Sequence, residues 1–382
     1  MEYHSATPRA QPELDWIING LGGTVPGAIQ EYLCRPNAKD PQLLVPTSPR
    51  RVALASMRRS HDGKTVKERI EGITGQAIGV AGLLKHAPGK TISLPPFRLI
   101  ERLALDLGEP ELIPTISLGP RRRNRKPVVQ LTRPDGVVVG FAKVGWSELS
   151  RALTSNEALW LTRVENKLPP GVTAPTVLHQ IHQEDWDLDL EVLVSGALRV
   201  SSASTRTKPL GAELALAIAD IWPGGTHSVE HLSFIEAWRH SPIASLVDLD
   251  ALVARHRNER IKLGMWHGDL TPWNTASTSG KLLVWDWEFA DADRPIGFDL
   301  LHMEFELVRR RSSGGETAAV AHILANAASI LAPADQPVDA VVDLYLCELL
   351  ARETRLAGEG WRPEHLGALE PPLIDALRQR NT

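Results

Sequence analysis

The stretch from 112 to 196 restricts the fold more than any other part of the chain. "LIPTISLG" (112–119), "PVVQLTRPDG" (127–136) and "VVVGFAKVG" (137–145) read as three strands. "RPDG" joins the last two as a hairpin turn, because Pro pre-sets one dihedral and Gly supplies a positive φ. "WSELSRALTSNEALWLTRVEN" (146–166) follows as a helix, with Ser147 and Ser150 as candidate caps. "TAPTVLHQIHQEDW" and "LDLEVLVSG", within 173–196, give two more strands. The order β-β-β-α-β-β predicts a small five-stranded antiparallel sheet with one helix.

Beyond 196 the periodicity becomes mainly helical. "LGAELALAIADIW" (210–222), "SVEHLSFIEAWRH" (228–240), "LDALVARHRNERI" (249–261), residues 316–331 and "VDAVVDLYLCELLARETRL" (338–356) are predicted helices, and "PPLIDALRQR" closes the chain. Upstream, "PQLLVPTSP" (41–49) reads as a short strand bounded by prolines. "RRVALASMRRS" (50–60) and "PFRLIERLALDLG" (96–108) read as helices, the second closed by Gly108. The Gly-rich "GITGQAIGVAGLLKHAPGKT" suggests a packed helix. Its end superficially resembles a phosphate-binding loop, but Gly82 and Gly89 are seven apart rather than five, so that pattern fails. The predicted class is α+β. Residues 1–110 form an N-terminal extension, 111–196 a five-stranded lobe and 197–382 a helical lobe.

Hydrophobic residues make up 43% and charged residues 23%, the balance of a soluble globular protein. A formal net charge of -4 gives no global basic field, so nucleic acid is not an expected partner. No apolar run approaches the roughly 18 residues of a membrane span, so no membrane role is expected. Residues 1–15 lack the apolar core of a secretory signal. Cys34 and Cys347 form no C-x-x-C pair. A cytoplasmic protein with reduced thiols is expected.

The chemistry concentrates in "MWHGDLTPWN" (265–274) and "VWDWE" (284–288). Gly, Asp, Pro and Asn are all turn formers, so the first run taken alone fits a surface turn. Phosphoryl transfer, however, is mostly positioning and charge neutralisation. One carboxylate receives the acceptor hydroxyl, an amide or carboxylate beside it holds a metal, and a second carboxylate bridges the metal to the nucleotide. Asp269 and Asn274 lie five residues apart, and Asp286 ends an apolar strand twelve residues further on. A short loop and a hairpin strand would return Asp286 to Asn274. Four tryptophans, Trp266, Trp273, Trp285 and Trp287, flank these runs. They fit core packing, with Trp273 a candidate to face an acceptor.

"HGDLTPWN…WDWE" resembles the catalytic loop and metal motif of the aminoglycoside phosphotransferase and choline kinase family. That family is similar to protein kinases, whose HRDxxxxN and DFG keep the same order and nearly the same spacing. The resemblance is strongest over about 265–300 and leaves 1–110 unexplained. It implies a kinase-like two-lobed fold that uses ATP and magnesium to phosphorylate a hydroxyl of a small molecule: an amino sugar, an aminoglycoside or a choline-like alcohol. By that resemblance Asp269 is the base, Asn274 and Asp286 are metal ligands, and Asp299 in "PIGFDLLH" braces the catalytic loop. In kinases a lysine on the third strand contacts the α and β phosphates and pairs with a glutamate on the next helix. Lys143 and Glu157 hold those positions, with Glu148 and Glu165 as rival partners. The backbone near Leu193–Ser195 is expected to read the adenine edge. The first hairpin departs from the kinase pattern: "SLGPRRRNRKP" has one glycine, so Arg121, Arg122 and Arg123 are candidate phosphate contacts. His267 reads as a loop histidine rather than a metal ligand, and Glu288 as a possible second metal contact. Two other classes stay open. One is a catalytically weak nucleotide-binding or regulatory protein. The other is a metal-dependent hydrolase using His267, Asp269 and Asp286.

Overall fold

The computed structural model describes residues 13–36, 41–59, 90–118, 126–184, 186, 188–198, 211–278, 281–357 and 369–381. Two compact units divide the chain: Met1–Thr162 with Pro175–Ser204, and Arg163–Ala174 with Thr205–Thr382.

The first unit contains, in chain order, α1 (Glu13–Gly20), β1 (Gln30–Pro36), β2 (Pro41–Pro46), α2 (Arg50–Arg59), β3 (Lys90–Leu94), α3 (Arg98–Asp106), β4 (Ile113–Ser117), β5 (Val128–Thr132), β6 (Val138–Gly145), most of α4 (Glu148–Val164), then β8 (Val177–Gln183) and β9 (Leu190–Gly196). Its strands form one sheet in the order β3-β1-β2-β4-β5-β6-β9-β8. Every neighbouring pair is antiparallel.

The five strands expected at 112–196 are present, but the sheet has eight. Strand β2 pairs with β4 through Leu43↔Ser117 and Leu44↔Ile116, and β1 and β3 extend the sheet beyond it. The reason is physical: a five-stranded sheet ending at β4 would expose a row of unpaired amides and carbonyls. Residues 1–110 therefore contribute three strands to the same sheet. The Gly-rich run at 72–91 falls almost wholly outside the described residues.

Alternation sorts the sheet's faces. Val129, Leu131, Ala142, Val144, Val192 and Val194 are buried in one apolar cluster with Leu99, Ile100 and Leu103 of α3. Lys143, between Ala142 and Val144, belongs to the opposite face. The β5–β6 turn is closed by Gly136 at φ +88°, whose N–H donates to the Arg133 carbonyl at 2.8 Å. Helix α4 begins with a reciprocal cap. The Ser147 N–H donates to Ser150 Oγ at 2.9 Å, and the Ser150 N–H donates to Ser147 Oγ at 3.2 Å.

The second unit contains β7 (Val172–Thr173), α5 (Ala212–Ala219), β10 (Gly225–Ser228), α6 (Ser233–Arg239), α7 (Leu249–Arg255), β11 (Arg260–Trp266), β12 (Thr275–Thr278), β13 (Lys281–Val284), β14 (Asp291–Pro295), α8 (Phe298–Arg311), α9 (Gly315–Leu331), α10 (Val338–Ala357) and α11 (Glu370–Asn381). It is mainly helical, as expected, with two three-stranded sheets, β10-β11-β14 and β12-β13-β7. The helix expected over 249–261 stops at Arg255, and β11 starts at Arg260. Ile261 and the whole run Leu263–Trp266 are buried, as fits a strand paired on both sides.

Helices α8 to α11 share one core that includes Phe298, Phe305, Ile323, Leu344, Tyr345 and Leu373. Residues Gly315–Ala334 are long and apolar enough, by length and composition, to cross a membrane. Ala319, Val320, Ile323, Ala327 and Leu331 of that stretch lie in this core. Asp343, fully buried in α10, accepts from Arg255 and His256, each at 2.7 Å, and from Arg380. That network ties α7 and α11 to α10.

Candidate active site

Strand β11 delivers the chain into His267-Gly268-Asp269, and a 3-10 turn at Pro272–Asn274 follows. Strands β12 and β13 then form the hairpin that carries the chain to Asp286. Thr275 pairs with Val284, and the Trp285 N–H donates to the Asn274 carbonyl at 3.1 Å. On the other flank β14 pairs with β11, setting Asp291 opposite Trp266 and Arg294 opposite Gly264. The two halves of the motif are thus clamped by ladders on both sides.

Within the loop, Asn274 Nδ2 donates to Asp269 Oδ2 at 2.8 Å and to the Asp269 carbonyl at 3.0 Å. Both contacts fix the amide's orientation, which turns Asn274 Oδ1 away from Asp269. Asp286 sits at φ +72°, a left-handed conformation that Asp and Asn tolerate better than other side chains. The carboxylate oxygens of Asp286 and Glu288 lie within 4.8 Å of each other, and Glu288 is buried. Asn274, Asp286 and Glu288 offer only oxygen donors, the set that suits a hard divalent cation such as magnesium.

Asp269 is sunk in the loop, with a quarter of its side chain exposed. Burial, and then the negative charge of Asp286, push its carboxyl up to about 7, opposed by the Arg352 guanidinium. A base near that value matches a proton-transfer role at neutral pH.

The backbone of the loop is braced from two helices. Asp299, near the start of α8, accepts from the His267 N–H at 2.8 Å and the Gly268 N–H at 3.1 Å. Burial pushes the Asp299 carboxyl up to about 7 against the pull of those two amides. Arg352 of α10 donates from Nη1 to the Gly268 carbonyl at 2.9 Å, and its guanidinium lies 4.1 Å from the centre of the Phe289 ring. His267 Nδ1 accepts from the Asp269 N–H at 3.2 Å, and its ring packs on Trp287 at 4.4 Å between centroids. Trp273 is covered by the Arg310 guanidinium at 3.4 Å.

Gly268 is the position the loop cannot exchange. It has φ +82°, and a Cβ there would lie 2.3 Å from the Phe289 carbonyl oxygen. Gly268→Ala is expected to lower stability by more than about 2 kcal/mol. Chemical denaturation checks it; a variant within 0.5 kcal/mol of wild type, roughly the scatter of neutral surface changes, would show that the loop relaxes freely.

In the first unit, Lys143 Nζ lies 2.5 Å from Glu157 Oε2, and Glu157 is buried. The rivals Glu148 and Glu165 are exposed. Leu193 and Ser195 do not occupy an open edge. Strand β9 is interior, with Leu193 paired to Lys143 and Gln180, and Ser195 paired to Phe141 and Val177. The chain leaves the sheet only at Ala197, after the Gly196 N–H has bonded the Thr176 carbonyl at 2.8 Å. Arg121, Arg122 and Arg123 lie outside the described residues. Sequence reasoning missed His302, Tyr345 and Arg352 around the loop. Only His302 had a signal, because it follows Asp299 by three residues and so shares its helix face.

No protein-family model matches the sequence, and no curated protein matches it. Among solved structures, the chain is similar to a thermostable mutant of aminoglycoside phosphotransferase APH(4)-Ia in a ternary complex with ADP and hygromycin B. Identity is 13% and the TM-score 0.46, covering 73% of this chain and 98% of that one. It is similar to an amicoumacin kinase, hAmiN, in complex with AMP-PNP, calcium and Ami, at 12% identity and TM-score 0.41, covering 70% and 87%. The GDP complex of aminoglycoside 2'-phosphotransferase-IIIa is similar at 13% identity and TM-score 0.40, covering 73% and 96%. At such identities and scores, the chemistry has to be read from the side chains themselves.

Proposed function

We propose that this protein transfers the γ-phosphoryl group of ATP to a hydroxyl of a small molecule. One observation carries the reading: Asp269 and Asn274 are joined at 2.8 Å, and the β12–β13 ladder brings the chain back to Asn274 one residue before Asp286. In this reading the sheet-containing and helical units are the lobes of a kinase-like fold, 111–196 and 197–382, with 1–110 as an extension of the first. The buried free thiols Cys34 and Cys347 support a reducing, cytoplasmic setting.

Asp269 receives the proton of the acceptor hydroxyl as the new P–O bond forms, and its raised pKa suits that step. Asn274, its amide locked by Asp269, presents Oδ1 for a metal, and Asp286 with Glu288 supplies carboxylates. Asn274 and Asp286 would hold magnesium, which would supply charge neutralisation for the transferred phosphate. Lys143, set by Glu157, holds the α and β phosphates. The adenine edge is assigned to the main chain after Gly196. Arg121, Arg122 and Arg123 keep their assignment to the phosphates. The acceptor class stays as broad as amino sugars, aminoglycosides and choline-like alcohols.

The hydrolase alternative needs His267 as a metal ligand. Its Nδ1 is turned to the Asp269 amide and its ring is fully buried, which favours the loop role. ATP consumption with and without a panel of hydroxylated acceptors tests the proposal. Acceptor-dependent consumption supports it. Phosphoester cleavage without nucleotide would favour the hydrolase, and binding without turnover the regulatory protein.

Lys143→Ala is expected to raise the Michaelis constant for ATP about 10–100-fold, the scale of one charge-assisted contact. Glu157→Ala should do less, and the double variant less than the sum, because the two side chains act as a unit. Additive effects in a steady-state double-mutant cycle would separate them.

A further inference from the structure

Asp269 accepts one hydrogen bond that the phosphotransfer reading does not use. His302 Nε2 lies 3.3 Å from Asp269 Oδ1, and His302 Nδ1 lies 3.1 Å from the Tyr345 hydroxyl. The imidazole is 3% exposed and Tyr345 is fully buried. Helix α8 presents Asp299 and His302 on one face, three residues apart. Asp299 grips the amides of the loop, and His302 grips its carboxylate. Tyr345 arrives from α10, with its ring held edge-on by Phe298 at 5.6 Å and Phe305 at 6.4 Å.

Hydrogen-bond chemistry fixes the direction of this chain. When Asp269 is ionised, as the base must be to receive a proton, its carboxylate can only accept, so Nε2 carries the imidazole proton. Nδ1 is then an acceptor, and the phenol must donate to it. Burial pushes the imidazole down to about 3, with Arg352 adding to the effect, so His302 stays neutral. Burial also raises the phenol well above its ordinary value, which keeps it a donor.

We propose that Tyr345 and His302 are positioning residues for the base. The Tyr345 hydroxyl donates to His302 Nδ1, and His302 Nε2–H donates to Asp269 Oδ1, so that Asp269 is held in one rotamer from both oxygens. Asn274 holds Oδ2, and His302 holds Oδ1. The remaining lone pairs then face a fixed direction, where an acceptor hydroxyl can meet them. The inference rests on the phosphotransfer reading for its kinetic consequence, but the hydrogen-bond chain stands on geometry alone.

The test uses the full chain and three variants, His302→Leu, His302→Gln and Tyr345→Phe. His302→Leu is expected to lower kcat about 10–100-fold while ATP affinity stays within about twofold. His302→Gln restores an amide donor to Oδ1 and should recover most of kcat. Tyr345→Phe should lower kcat several-fold in wild type and have no further effect in His302→Leu. Equal losses in the Gln and Leu variants, a parallel fall in ATP affinity, or a Tyr345→Phe effect that persists in His302→Leu would each overturn the proposal.

A second readout needs no turnover. In ¹⁵N-histidine NMR above about pH 8, where Asp269 is ionised, the His302 ring should carry its proton on Nε2 and show a hydrogen-bonded Nδ1. Tyr345→Phe should move the Nδ1 shift, and a proton found on Nδ1 would overturn the chain even if His302→Leu fails to fold. Failure of wild type to use ATP with any acceptor would count against the phosphotransfer reading, while the NMR arm still decides the chain.

Discussion

Asp286→Ala is expected to abolish magnesium-dependent nucleotide binding and to bring turnover to background. Asp286 is held at φ +72°, two residues past the end of β13, which the β12–β13 ladder returns to Asn274. Its charge is felt at Asp269, whose carboxyl it helps to push up. Removing the carboxylate leaves the Glu288 oxygen, which lies within 4.8 Å of the Asp286 carboxylate. Glu288 is buried two residues on and is placed to assist rather than to replace. Isothermal titration of the nucleotide with and without magnesium separates the outcomes. The magnesium-dependent part of the affinity should vanish in the variant. Near-wild-type affinity in magnesium together with full activity would move the metal away from Asp286.

Asp269→Asn should leave nucleotide binding nearly intact and lower kcat by roughly 10²–10⁴-fold, the usual scale for a lost general base. It keeps the shape and an acceptor oxygen for Asn274. The same substitution should stabilise the metal-free protein. Asp269 is pushed up to about 7 from an ordinary 3.8, so its folded form prefers the proton. Above pH 7 folding must hold an anion in a site that disfavours it, and that cost shrinks as pH falls through about 7 toward 3.8. The asparagine variant should therefore melt about 2–8 °C higher than wild type at pH 8, with the gap closing toward pH 4. Calorimetry in chelator reads this directly. A variant that melts lower at pH 8 would mean the carboxylate is stabilised by its partners, not strained by burial. Equal loss of ATP affinity would recast Asp269 as a metal ligand.

The parts of this structure legible in the sequence are those with local signals. The RPDG turn, the Ser147–Ser150 cap, the 14-residue step from Lys143 to Glu157 and the Asp269-to-Asn274 spacing each involve neighbours in the chain or one hairpin. What escaped depends on partners far away. Strand β1, "EYLCRP" in its middle and end, does not alternate cleanly, and its neighbour β3 lies some sixty residues on across a stretch outside the described residues. The helix expected over 249–261 takes in the first two residues of strand β11, whose partners, β10 and β14, lie some thirty residues away on either side. The interior position of Leu193–Ser195 in the sheet escaped for a related reason. A strand's apolar run does not reveal whether both of its edges are already paired. Tyr345 and Arg352 reach the loop from α10, more than seventy residues downstream, as single side chains in a helix that otherwise reads as core.

The central claim is that phosphate leaves ATP and ends on an acceptor hydroxyl through Asp269. The most direct measurement incubates the protein with γ-labelled ATP, magnesium and a set of hydroxylated acceptors, and follows the label by ³¹P NMR or chromatography. The account predicts label on an acceptor as a phosphomonoester, with ADP formed in equal amount and both lost in Asp269→Asn. Label recovered only as inorganic phosphate at a rate indifferent to acceptor, or transfer that survives in Asp269→Asn, would contradict it.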